Sequence, residues 1–220
     1  TGTLSSSANW NAVGYGGSKY VAVSGITLNV AYSTNGGTTW TAGIIPTGTD
    51  DARCIAYGGG VWVIPYFSSN DVATSSDGIT FSFQSNVLTA TRDWTGITYG
   101  NGYFVMVSSG TTTAQYSTNG TSWSAGVLPS ADEWTSVAYG NISGTNYFVA
   151  VSGSTTNSTV AASSTDNGAT WTSRTLPTST RWSSVTFGNS RFVAVAGNSG
   201  TTTTSAAYST NGTTWTASTL

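Results

Sequence analysis

The chain has no histidine, one cysteine, one methionine and four prolines in 220 residues. Without histidine, and with a lone thiol, it cannot assemble a histidine-based triad, a thiol–imidazole pair or a cluster of soft metal ligands. No cofactor is expected. Cys54 has no partner for an internal disulfide, and its place inside an apolar block reads as a small buried hydrophobe. Charge is nearly as scarce: six Lys and Arg against eight Asp and Glu, a net of −2. So few cations cannot line a phosphate-tracking groove, which excludes nucleic acid as the main partner. No apolar run approaches the ~20 residues that cross a bilayer as a helix, so no membrane insertion is expected. The chain opens without Met and without a visible leader, and reads as a processed product or a piece of a longer protein. Its solubility must come from Ser, Thr, Asn and Gly. That composition suggests an extracellular place, on a bacterial cell surface or a virion.

What the chain has instead is repetition. A closing block, Tyr-Ser-Thr-Asn-Gly-(Gly)-Thr-Thr-Trp, spans Tyr32–Trp40 and recurs at Thr74–Phe81, Tyr116–Trp123, Ser163–Trp171 and Tyr208–Trp215. An opening block, Trp-x-x-Val-x-Tyr-Gly, starts at Trp10, Trp94, Trp134 and Trp182, with Ala52 standing for the Trp of the second copy. The opening blocks end in Gly16, Gly58, Gly100, Gly140 and Gly188, at spacings of 42, 42, 40 and 48. Such a period means a toroidal or stacked repeat fold.

Each repeat reads as four strands. In the third, Trp94–Tyr99 alternates in the period-two manner of a strand. Gly100-Asn101-Gly102 is a hairpin turn. Tyr103–Val107 is a continuous apolar run, as in a strand buried on both faces. Ser108–Thr113 reads as a loop, Ala114–Ser117 as a third strand, and Ser122–Leu128 as a fourth that stops at Pro129. No stretch has helical periodicity. The expectation is an all-β, five-bladed β-propeller of four-stranded antiparallel blades. As one domain, its blades would cover residues 1–46, 47–88, 89–129, 130–177 and 178–220. Leu4 aligns with the last residue of the fourth strand, so the ring is expected to close by packing of the fifth blade on the first, with residues 1–4 beside the final strand; the competing structure is an open stack or a segment of a longer array.

The closing block resembles the Asp-box, Ser-x-Asp-x-Gly-x-x-Trp, of the sialidase-like and sortilin-like propellers. Ser164–Trp171 matches it fully, Ser33–Trp40 carries Asn35 for the Asp, and the other copies are one residue shorter. The resemblance implies a propeller with these turns between third and fourth strands, and a structural rather than catalytic box. Turn chemistry agrees: the Asn or Asp oxygen accepts backbone N–H bonds and Gly takes the positive φ. The aromatics Trp40, Phe81, Trp123, Trp171 and Trp215 are then expected to be buried between blades.

Function should lie where the copies differ. Asp50, Asp51, Arg53, Arg92, Asp93, Asp132, Glu133 and Arg181 all fall between a fourth strand and the next first strand, and Asp71 falls in a loop at the same end. This places nine of fourteen charges at one mouth, beside the opening Trp residues. Aromatic rings beside carboxylates and guanidinium groups suit a sugar, stacking on its apolar face and bonding its hydroxyls. The expected ligand surface is Trp94, Trp134 and Trp182 for stacking, with Arg92, Asp93, Asp132, Glu133 and Arg181 as hydroxyl partners. The function this suggests is a non-catalytic carbohydrate-binding or adhesion module, with a surface glycan or polysaccharide as partner and several copies in a larger assembly. The alternative is a spacer or decoration domain without a ligand. A glycoside hydrolase is the third class. Arg53, Arg92 and Arg181 hold near-equivalent positions, as a sialidase would need. However, the Arg-Ile-Pro motif is absent and Glu133 is the only glutamate.

Overall fold

The computed structural model describes residues 3–4, 6–25, 29–46, 51–197 and 203–220. Among these there is no helix. The first repeat contributes β1 (Asn9–Gly16), β2 (Lys19–Gly25), β3 (Val30–Ser33) and β4 (Thr41–Ala42). The second contributes β5 (Ala56–Gly58), β6 (Val61–Pro65), β7 (Val72–Ser75) and β8 (Ser82–Gln84). Then follow β9 (Trp94–Gly100), β10 (Tyr103–Ser117), β11 (Ser124–Ile142), β12 (Thr145–Ser152), β13 (Ser158–Ser164) and β14 (Thr172–Thr180). The last repeat gives β15 (Trp182–Gly188), β16 (Arg191–Ala196), β17 (Ser205–Ser209) and β18 (Thr216–Thr219). Pairing is antiparallel and sequential throughout, as tight turns between successive strands require.

The strands form four sheets, not five. Counted by continuous sheets, this is a four-bladed β-propeller, and the five-bladed expectation is corrected. Three sheets hold four strands each: β1–β4, β5–β8 and β15–β18. The fourth holds six, β9–β14, because the third and fourth repeats merge. The cause is local. The segment 108–113, expected as a loop, continues β10, and Pro129 lies within β11 instead of ending a strand. Ser109 pairs with Glu133 and Thr111 with Asp132, so the two connections form a ladder with each other. The register shifts on either side of Thr111 let the ladder run through.

The chain forms two compact units. One is Thr1–Trp94 with Gly102–Phe104 and Ser117–Trp123; the other is Thr95–Asn101, Val105–Tyr116 and Ser124–Leu220. The core of the first gathers Val21, Val23, Val30, Ile64, Ala73 and Phe81. The core of the second gathers Val149, Val151, Leu176, Val185, Phe192 and Trp215.

Inside each unit, one repeat seats on the next by a recurring fit. A Cβ on Gly16 would overlap the Tyr57 ring, one on Gly100 the Tyr139 ring, and one on Gly140 the Phe187 ring. The closing glycines of the first, third and fourth opening blocks are thus sockets for the next repeat's aromatic. A second fit runs beside it. The turn glycines Gly120 and Gly168 lie so close to Val63 and Val105 of the preceding repeat that a Cβ would stand 2.6 and 2.7 Å from them. A third is polar: Thr95 donates to the Trp134 carbonyl at 2.6 Å and Thr135 to the Trp182 carbonyl at 2.8 Å. In the first repeat Asn11 does the same for the Ala52 carbonyl at 3.0 Å.

The repeated turns share one bonding scheme. In all five copies a serine hydroxyl donates to the Asn or Asp two residues on: Ser33 to Asn35, Ser75 to Asp77, Ser117 to Asn119, Ser164 to Asp166 and Ser209 to Asn211. That side-chain oxygen then accepts the amide N–H of Thr39, Thr80, Ser122, Thr170 or Thr214. Phe81, Trp123, Trp171 and Trp215 are buried, as expected. Trp40 differs and is only half-buried. Thr3 bridges Thr39 of the first repeat in parallel, as Ile44 bridges Thr80 and Val127 bridges Thr170.

Candidate functional site

Trp94 and Trp182 start their strands and Trp134 lies within β11, which fixes where they sit but not which way they face. Trp94, Trp134 and Trp182 are each 0% exposed. Their indole N–H groups donate to the carbonyls of Ser69, Ser130 and Thr178 at 2.9, 3.1 and 3.2 Å. A buried indole whose polar edge is satisfied is core, and no ring face is left for a sugar. The stacking role expected for these three is therefore corrected.

The charged residues of the expected mouth divide between the units. Arg92 and Asp93 belong to the first; Asp132, Glu133 and Arg181 belong to the second. In the first unit, Asp93 accepts the Ser68 hydroxyl at 2.6 Å. Arg92 pairs with Ser69 through its backbone N–H, while its guanidinium donates to the Thr91 carbonyl at 2.8 Å. Asp71 accepts the Asn86 N–H at 2.7 Å and the Ser69 hydroxyl at 2.9 Å. These carboxylates brace loops.

In the second unit, Glu133 reaches across to the loop after β12. Its carboxylate accepts the N–H groups of Thr155 and Thr156 at 2.6 and 3.0 Å, and both threonine hydroxyls. The Glu133 carbonyl meanwhile accepts the Gly153 N–H at 3.0 Å. The Thr155 hydroxyl, chief among these donors, holds the Glu133 carboxyl at about 2, well below its ordinary value near 4.5. Asp132 sits in the ladder opposite Thr111. Arg181 is half-buried, and its carbonyl accepts the Gly197 N–H at 2.9 Å.

One charged cluster outside the expected ligand set has a different character. Arg53 lies with its guanidinium 3.6 Å above the Phe67 ring and forms an ion pair with Asp51 at 3.0 Å. Asn11 also donates to Asp51, at 3.3 Å. Arg53 is exposed. The sequence marks Arg53 and Asp51 as charged connection residues, but Phe67 lies in a separate loop and nothing local couples them. Asp50 of the same connection lies outside the described residues. No group of three or more His, Cys, Asp or Glu side chains that could hold a metal occurs among the described residues.

No family model and no curated protein matches the chain. Solved structures do. YCF48 bound to D1 peptide is 17% identical, with a TM-score of 0.68 over 97% of this chain and 67% of its own. Virginiamycin B lyase from Staphylococcus aureus is 14% identical, with a TM-score of 0.76 over 96% and 70%. A nidogen/laminin complex is 12% identical, with a TM-score of 0.68 over 90% and 74%. At such identities the likeness shows the β-propeller fold and nothing finer.

Proposed function

We propose that the chain is a non-catalytic scaffold module, one unit of a larger surface array on a cell or virion. The observation that carries this is the fate of the rim carboxylates. Glu133, Asp93 and Asp71 are each bonded to a loop backbone or hydroxyl. Acid–base catalysis needs a group within reach of a substrate proton and free to exchange it. Composition supports the same reading. A histidine-to-alanine variant of virginiamycin B lyase is catalytically inactive, and this chain has no histidine to supply such a group. The test is a hydrolase and lyase screen beside a Glu133→Gln variant. The scaffold reading expects no turnover from either protein and a lower melting temperature for the variant. Turnover that Glu133→Gln abolishes, with the melting temperature unchanged, would replace it with an enzyme.

A carbohydrate-binding role is the second reading. It is favoured by the exposed Arg53 beside Phe67 and Asp51, an aromatic, a guanidinium and a carboxylate within one small patch. YCF48 bound to a peptide suggests that a related shape can also serve peptides. A glycan array probed with the wild type and with Arg53→Ala decides it: carbohydrate binding should be lost in the variant, and an array blank for the wild type removes the reading.

A further inference from the structure

The second repeat is trimmed where the other copies are bulky. One such position pairs with the closing glycine of the opening block. It holds Lys19, Tyr147 and Arg191 opposite Gly16, Gly140 and Gly188, but Val61 opposite Gly58. The other position lies on the neighbouring strand. Tyr32 pairs with Val21 and Tyr208 with Val193, but the residue that pairs with Val63 is Thr74. The two positions adjoin: in the last repeat the Arg191 guanidinium lies 5.3 Å from the centre of the Tyr208 ring. The second repeat thus has small residues at both.

The trimming goes with a groove of about 300 Å³. Val61 and Thr74 line it together with Ser76, Thr80, Ser82 and Gln84. Asn119 and Thr121, from the turn of the third repeat, complete it. That turn is seated against the same strand, since a Cβ on Gly120 would stand 2.6 Å from Val63 and 3.8 Å from Val61. Every lining residue belongs to the first compact unit, so the groove lies within that unit.

The fold does not engage all of its polar groups. In the first, fourth and last repeats the Asn or Asp of the turn bonds the hydroxyl of the threonine that follows: Asn35 with Thr39, Asp166 with Thr170 and Asn211 with Thr214. In the second and third repeats the turn bonds run from backbone N–H groups to the side-chain oxygens of Asp77 and Asn119. Among the described residues, this leaves the Thr80 hydroxyl and the Asn119 amide nitrogen without such a bond. Ser76 and Ser82 add exposed hydroxyls. A hydroxyl both donates and accepts, and a side-chain amide offers a group of each kind. None of the lining residues is ionisable. A phosphate, carboxylate or ammonium entering the groove would lose water and gain no counter-charge. Neutral hydroxyls and amides around one small apolar side chain, Val61, match a ligand with hydroxyl edges and C–H faces. The volume is at the small end for ligand sites and suits a single ring.

We propose that this groove binds a neutral sugar ring, with Thr80, Gln84 and Asn119 as hydroxyl partners and Val61 against its C–H face. The site is separate from the Arg53 patch. It adds a ligand to the scaffold reading and does not rest on it. Two independent observations coincide here: the copy that lacks both bulky side chains is also bordered by the turns whose polar groups are left over. Such a departure at one point of a regular scaffold is how a site is grafted on a fold.

Saturation-transfer NMR with the methyl glycosides of glucose, galactose, mannose and N-acetylglucosamine tests this. The wild type should transfer saturation to one or more of them. Val61→Tyr restores the bulk that Tyr147 has in the fourth repeat and should abolish the signal. Asn119→Asp keeps the turn, since Asp77 and Asp166 hold the same place with the same serine bond. It removes the amide donor and brings in a charge, and should abolish the signal too. Both variants should melt as the wild type does; where one does not, the other decides. No transfer from the wild type to any of these glycosides overturns the proposal and leaves the scaffold reading standing. A signal that persists in either folded variant overturns it as well. So does a signal lost in Arg53→Ala instead, which would move the sugar to that patch. A methyl glucuronide preferred over the neutral glycosides also overturns it, because the groove holds no cation to select a carboxylate.

Discussion

What a polar or aromatic residue does in this chain depends on where its partners lie along the sequence. The serine and Asn or Asp of each turn were legible in sequence because their partners lie within five residues. Glu133 was not, because its partners Thr155 and Thr156 lie across a loop, and a list of charges carries no such reach. The opening Trp residues were misread for a similar reason: a strand start does not say which side a ring will turn to. Since Trp134 is fully buried, Trp134→Ala should cost about 3–5 kcal/mol, read from denaturant unfolding, and leave the surface unchanged. Cys54 gives a second residue-scale prediction. Burial pushes its thiol up to about 12, so little thiolate forms at pH 8. A thiol reagent should fail to label the native protein in minutes and label it fully in denaturant. Rapid native labelling would show that the core around Cys54 opens.

Strands and turns show where the repeat pattern can be trusted. Strand order within each repeat followed from alternation and from the Gly-rich turns. The merging of β10 and β11 did not, because Ser, Thr and Gly between residues 108 and 113 read as a loop. Only the pairing with Asp132 and Glu133 turns that segment into strand. The sockets are the sharper test at this scale. Gly168 has φ near +89° and lies against Val105, so Gly168→Ala carries both backbone strain and overlap, a loss of about 1–3 kcal/mol. Gly140→Ala must displace the Phe187 ring and should also destabilise, whereas Gly188→Ala, facing open space, should change the melting temperature little. Equal losses at 140 and 188 would mean that the ring-in-socket contact contributes nothing.

For the whole molecule, the repeats are legible but the count of sheets is not: five sequence units give four sheets, because ladder formation between two connections joins the third and fourth. The chain's few carboxylates, taken here as fasteners of loops and turns, give the molecule its acid sensitivity. Turn bonds from the Thr80 and Ile79 N–H groups hold the Asp77 carboxyl low. At Asp166, burial is the largest single influence and raises it, but the Thr170 and Ser164 bonds together outweigh it. Glu133 is held at about 2. A carboxyl depressed in the folded state stabilises above its unfolded value and loses that contribution as pH falls through its folded value. For Glu133 the window runs from near 4.5 down to about 2. The most direct test of the claim that rim carboxylates fasten the fold is therefore the melting temperature of wild type and Glu133→Gln between pH 7 and pH 2. The account predicts a lower value for the variant at neutral pH, a steeper acid loss for the wild type below pH 4.5, and convergence of the two near pH 2. Identical curves at every pH would contradict it.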